Sequence, residues 1–205
     1  MPGNWRRGAS EVDLEARLRA DTSKAIKAVV VVHNETSTGV TSRLHDVRGT
    51  MNAAAHPALL IVDGISGLGA DRLETDAWGV DLAIAASQKA LMLPPGLAFL
   101  SVSKKAAARM ATSNLPKFYV DLKLYEEGIK DWDTPFTPAL TLVRALEKAL
   151  DLIEAEGIEN VFKRCAALGE FTRRRLQGLG LGLFSKSPSS ALSAVGLPAG
   201  IARGR

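Results

Sequence analysis

Four short apolar runs mark the first half of the chain: residues 28–32, 59–62, 80–85 and 98–102. The first reads Ala-Val-Val-Val-Val, with no polar alternation, which is the pattern of a strand covered on both faces. Segments with helical spacing lie between them. Residues 11–20 set Leu14, Ala16, Leu18 and Ala20 among charges. Residues 44–55 bring Leu44, Val47, Met51, Ala54 and Ala55 onto one face. Strands alternating with helices build βαβ units and a parallel sheet. The third and fourth runs are separated by too few residues for a crossover helix, so that pair is antiparallel and the sheet is mixed. Ser103 is placed to cap a helix that runs to Met110. The predicted class is α/β, a mixed and mostly parallel sheet flanked by helices.

The texture changes after Met110. Residues 112–137 are rich in aromatics and prolines and read as irregular. Residues 141–156 form an amphipathic helix with Leu142, Ala145, Leu146, Ala149, Leu152 and Ile153 on one face, ended by Gly157. A second long helix covers 160–179, and Leu183-Phe184 reads as the start of a strand. The period predicts Trp78, Leu142, Leu146 and Leu152 buried, and Arg173 and Arg175 exposed.

Composition narrows the function classes. With 205 residues, 46% of them apolar, the chain has material for one large domain or two small ones. A net charge of +4 with both signs interspersed argues against a nucleic-acid binder. Cys165 is the single cysteine, which leaves no internal disulfide and no multi-cysteine metal site. No apolar run reaches membrane-spanning length. The first residues, Met1-Pro2-Gly3-Asn4-Trp5-Arg6-Arg7, show no signal region, and Arg203-Gly204-Arg205 is no peroxisomal address. A cytoplasmic protein without membrane or nucleic-acid partners is expected.

Two residues carry the chemistry. Asp63 ends the second run and Lys89 lies just past the third, so both sit where open α/β sheets bind ligands. A lysine and an aspartate at one sheet edge point to pyridoxal phosphate, the lysine as Schiff-base former and the acid on the pyridinium proton. Apolar neighbours, Ala83 to Ala86 and Leu91 to Leu93, predict a partly desolvated Lys89 amine. A surface lysine and a turn-capping Asp63 beside Gly64 are the plainer alternatives. The polar loop Asn34-Glu35-Thr36-Ser37-Thr38-Gly39 follows the first strand and offers hydroxyls at the same edge. His33, His45 and His56 lack metal-ligand spacing and read as structural, and no metal site is expected. The run Gly64-Ile65-Ser66-Gly67-Leu68-Gly69 has the wrong spacing for a dinucleotide fingerprint. Cys165 reads as a packed thiol within a helix. Lys163, Arg164 and Arg173 to Arg175 read as a solvated basic face.

Residues 31–42, 56–63 and 87–96, with Phe136-Thr137-Pro138-Ala139, together resemble the serine–glyoxylate and alanine–glyoxylate aminotransferases, the class V group of fold-type I pyridoxal-phosphate enzymes. The resemblance implies that residues 1–140 form part of the cofactor-binding large domain, and that 141–205 are a long interdomain helix and the start of a C-terminal domain. It implies Lys89 as the Schiff-base lysine and Asp63 as partner of the pyridine nitrogen. Thr36 would touch the cofactor and the substrate, and Ser87 and Gln88 would help hold the cofactor. Thr137 would reach the cofactor of the neighbouring subunit in a homodimer. The implied reaction passes an amino group from L-serine, or alternatively alanine, to glyoxylate, so the partners are a small amino acid and a 2-oxo acid. Gly64 and Gly67 replace hydroxyl residues of the pattern, which would loosen the turn beside Asp63.

The family also carries an upstream Gly-rich phosphate loop and a downstream arginine for the substrate carboxylate. The resemblance therefore places these residues in the middle of such an enzyme. By themselves they would bind pyridoxal phosphate weakly and turn over little, or be a non-catalytic remnant. A cysteine desulfurase would need a cysteine on a mobile loop, and Cys165 lies in a helical segment.

Overall fold

The four apolar runs pair into one sheet. A computed structural model describes residues 3–198 and 200. Its elements in chain order are α1 (Glu11–Ala20), β1 (Ala28–Val32), β2 (Asn34–Glu35), β3 (Val40–Thr41), α2 (Leu44–Ala53), β4 (Leu59–Asp63), β5 (Leu82–Ala86), β6 (Ala98–Val102), α3 (Lys104–Ala111), α4 (Leu122–Lys130), α5 (Leu140–Glu156) and α6 (Ile158–Gly178). The sheet order is β1-β4-β5-β6. β4 is parallel to both neighbours, with Val32 opposite Asp63 and Asp63 opposite Ile84. β6 returns antiparallel to β5, as the short connection requires.

One face of the sheet holds the main core. Leu14 and Leu18 of α1 and Leu44, Val47 and Met51 of α2 pack on Val31, Leu60, Val62 and Ala83. α1 begins at Ser10, whose hydroxyl accepts from the Asp13 N–H. A second cluster joins Leu91 and Leu93, from the turn after β5, to Ala145, Leu146, Ala149 and Ile153 of α5 and to Phe99 of β6.

Several expectations are corrected. β1 is buried on one face only: Val31 is inside, whereas Val30 is 68% and Val32 38% exposed. Those two project from the face opposite α1 and α2, at an edge strand. Leu152 is 55% exposed, because the α5 contact with the β5 turn ends at the stripe of Ala145, Leu146, Ala149 and Ile153. Trp78, Leu142 and Leu146 are half-buried. Arg173 is half-buried too, its Nη1 donating to the Ser189 carbonyl at 2.8 Å, while Arg175 is exposed. Residues 112–137 contain α4, capped by Asp121. Leu183-Phe184 makes no strand, only a single bridge from Leu183 to Val195.

Polar clamps fix the sheet from below. The buried Asp81 carboxylate, at the entry to β5, accepts from the Leu60 N–H at 2.8 Å, Arg48 at 2.7 Å and Ser103 Oγ at 3.1 Å, with Lys105 at 3.4 Å. Burial pushes this carboxyl up, but the Leu60 N–H, Arg48 and Lys105 outweigh it and hold it below its ordinary value. Nearby, Asp21 receives the Ile26 and Ala25 N–H groups at 2.7 and 3.0 Å and faces His56 Nε2 at 3.1 Å. His56 Nδ1 accepts from the Ala58 N–H, so Nε2 carries the proton and donates to Asp21. His56 is thus structural.

The Ile26 N–H above all, then the Ala25 N–H, His56 and Ser23, hold the Asp21 carboxyl down at about 2 against an ordinary 3.8. A depressed native value means that its stabilisation is complete above the unfolded value and is lost as the pH falls from 3.8 towards 2. Asp21→Asn is expected to lower stability at neutral pH and to flatten the acid limb of the unfolding profile in that window. Urea unfolding at a series of pH values measures both effects.

Candidate active site

The parallel register brings three loops to one edge. β1, β4 and β5 all end there, and the segments that follow them carry Thr36, Ser66 and Lys89. These three line a cavity of about 540 Å³. Its opposite wall is Cys165, Leu168, Gly169 and Thr172 of α6 and the strap Ser190–Ser193.

The loop after β1 is more ordered than its composition predicts. β2 and β3 form a short antiparallel hairpin, Asn34 opposite Thr41 and Glu35 opposite Val40. At its tip Gly39 takes a φ of +67°, and its N–H donates to the Glu35 carbonyl. The Glu35 carboxylate accepts from Ser37 Oγ and N at 2.7 and 2.8 Å, bonds that hold this carboxyl below its ordinary value. Thr36 lies exposed at this tip, and its Oγ1 is 2.6 Å from Ser66 Oγ.

Asp63 closes β4, and its Oδ1 accepts from the Ile65 N–H at 2.9 Å. The turn-capping role is therefore realised. Asp63 stands at the same edge as Thr36 and Lys89 but is not among the residues lining the cavity. The turn that follows is tight rather than loosened. The Gly64 N–H donates to Ile84, and the Gly67 and Leu68 N–H groups both return to the Gly64 carbonyl. A Cβ at Gly67 would stand 2.4 Å from Nδ1 of the buried His33, so the missing side chain is what admits the imidazole. Burial pushes the His33 imidazole below its ordinary value, against the pull of Asp71. Its Nδ1 has no partner among the described residues.

Lys89 rides on the turn after β5. Ser87 holds that turn: its fully buried hydroxyl donates to the Pro94 carbonyl at 2.8 Å and accepts from the Leu97 N–H at 3.2 Å. Met92 closes the turn with φ +61°, its N–H on the Lys89 carbonyl. Lys89 is exposed at the cavity, which corrects the desolvated amine expected from its neighbours. Leu91 and Leu93 point instead into the α5 cluster. Gln88 is exposed, and Thr137 is exposed on the segment before α5, away from the cavity lining.

Two contributors, Ser66 and Asp71, are not marked by the sequence, and a third, Cys165, reads there only as a packed thiol. Ser66 was hidden in a glycine-rich run. Cys165 proves to line the cavity, its thiol pushed up by burial despite Arg164. Asp71 anchors the strap, accepting from Ser189 Oγ at 2.9 Å and the Ser190 N–H at 3.2 Å. Asp71 and the strap serines have no sequence signal of their own, because the contact joins residues more than a hundred positions apart.

Comparison with known proteins adds the lineage. The profile of the family "Aminotransferase class-V" matches residues 8–195. The chain is 43% identical to a serine–glyoxylate aminotransferase of Methylorubrum extorquens, over 96% of this chain and 51% of that protein. It is 39% identical to an L-aspartate–glyoxylate aminotransferase of Paracoccus denitrificans, over 96% of this chain and 50% of that one. The fold superposes on an alanine–glyoxylate aminotransferase crystal structure from Nostoc sp. with a TM-score of 0.89 at 30% identity, covering 98% of this chain and 53% of that one. The chain spans about half the length of the curated relatives it matches.

Because three atoms of the His33 ring crowd the Gly67 position, Gly67→Ala is expected to destabilise by about 1–3 kcal/mol through overpacking. His33→Ala removes the clashing ring, so the two losses will not add. A double-mutant cycle from urea midpoints measures the coupling.

Proposed function

The chain belongs to the class-V aminotransferase family, and from that premise we propose that it forms the central part of a pyridoxal-phosphate transaminase acting on L-serine and glyoxylate. The carrying observation is the cavity itself: a lysine and two hydroxyl residues from three strand ends share one wall. This donor set fits the cofactor. Lys89 offers a primary amine for covalent attachment, and Thr36 and Ser66 offer hydroxyls for a ring or substrate oxygen. When bound, the cofactor supplies an electron-withdrawing ring that stabilises negative charge at the α-carbon of an amino acid.

The chain's own groups divide the remaining work. Lys89 Nζ carries the proton that leaves the donor's α-carbon. Asp63, at the end of β4, holds the proton on the ring nitrogen. Ser87 acts from beneath, fixing the turn that aims Lys89, and Gln88 is at hand beside it to hold the cofactor. Thr137 serves the site of a second subunit in a homodimer. Residues 1–140 belong to the large domain and 141–205 begin the next. Among the described residues no helix is long and apolar enough to cross a membrane, and we place the protein in the cytoplasm. A donor of aspartate or alanine is the second reading, favoured by the names of two relatives.

Reductive trapping tests the assignment. The purified chain is mixed with excess pyridoxal phosphate, reduced with borohydride and mapped by mass spectrometry. The pyridoxyl label is expected at Lys89 ahead of the other lysines, and Lys89→Ala should remove it without moving the label elsewhere. Even spread of label over surface lysines would overturn the site. Serine–glyoxylate turnover on the same preparations is expected to be far below that of a full-length relative.

A further inference from the structure

We infer that Ser66 is a positioning residue for Thr36, its hydroxyl donating to Thr36 Oγ1 so that the Thr36 proton is delivered to an acceptor in the cavity. This rests on the reading that the cavity takes the cofactor and substrate. Thr36 is exposed on a hairpin tip, where more than one χ1 well is open to a threonine. The 2.6 Å contact with Ser66 Oγ selects one of them.

Ser66 can do this because its own mount is fixed from two sides. Asn34, 2% exposed, donates its side-chain N–H to the Ser66 carbonyl at 2.9 Å. The Gly67 and Leu68 N–H groups close the turn on Gly64 at 3.1 and 2.9 Å. Asn34 and Thr36 belong to the same hairpin, so the side chain and the carbonyl of Ser66 tie it to one loop by two bonds.

Each hydroxyl has one proton and two lone pairs. Within the pair one proton is consumed and the other is free. Both line the cavity, and Thr36 is the exposed member. An acceptor in the cavity therefore takes the Thr36 proton, and Ser66 must then be the donor to Thr36. The chain Ser66 to Thr36 to acceptor strengthens each bond through polarisation.

The test has two arms. In the first, the Thr36 methyl and its χ1-dependent couplings are followed by NMR in the chain without cofactor, for wild type, Ser66→Ala and Ser66→Thr. A single rotamer is expected in wild type and Ser66→Thr, and averaging in Ser66→Ala with the core amide shifts unchanged. A Thr36 rotamer that ignores Ser66→Ala overturns the proposal. In the second arm, Lys89 trapping is titrated with pyridoxal phosphate. Ser66→Ala should raise the half-saturating concentration roughly two- to tenfold, the worth of one neutral hydrogen bond. Ser66→Thr should restore it, and in a Thr36→Val background Ser66→Ala should have no effect. An undiminished effect in that background overturns the proposal. Loss of Lys89 trapping in the wild type instead overturns the cofactor reading, and with it the role of Ser66.

Discussion

The parallel pairing of β4 with β1 on one side and β5 on the other is the constraint on which the site depends. Parallel neighbours end at the same edge, so the segments leaving them start side by side although they are distant in sequence. Thr36, Ser66 and Lys89 come from three such segments and meet in one cavity. An antiparallel β4 would have sent Asp63 and Ser66 to the opposite end of the sheet. The antiparallel return of β6 costs the site nothing, because β6 starts at the site edge, where its Ala98 pairs with Ala86, and runs away from it.

The two ends of the sheet are held by different physics. At the entry to β5 the clamp is ionic: Asp81 gathers Arg48, Lys105 and a backbone N–H in a buried place. Removing one partner of such a group leaves a charge without compensation, which is why these clusters persist as units. At the site end single hydrogen bonds hold separate turns in place. Ser87 ties its own turn, Asn34 ties the Ser66 carbonyl, and Asp71 pins the strap through Ser189 and Ser190. This places the charged groups of the clamp away from Lys89 and leaves hydroxyls around it.

Much of the frame was legible in the sequence. The spacing of Leu14 and Leu18 gave α1, the β-branched run gave β1, and the short link before Ala98 gave the antiparallel pair. What failed did so for identifiable reasons. A continuous Val run predicts cover on both faces, yet cover is supplied by other elements, and among the described residues α1 and α2 cover one face of β1. The apolar residues around Lys89 predicted desolvation of its amine, but successive side chains in a turn point different ways, and Leu91 and Leu93 took the inward positions. Gly67 looked like a lost hydroxyl until the His33 ring was found in the space where its side chain would be.

The sequence by itself determined the four strands of the main sheet, helices α1, α2, α3, α5 and α6, the mixed pairing and the family, because these follow from local periodicity and from contiguous motifs around Asn34, Asp63 and Lys89. Only the tertiary structure decided that Ser66 bonds Thr36, that Cys165 and the strap form the far wall, and that Ser87 is spent on its own turn. Those contacts depend on where register, turn geometry and packing place the partner groups, which residue type alone does not fix.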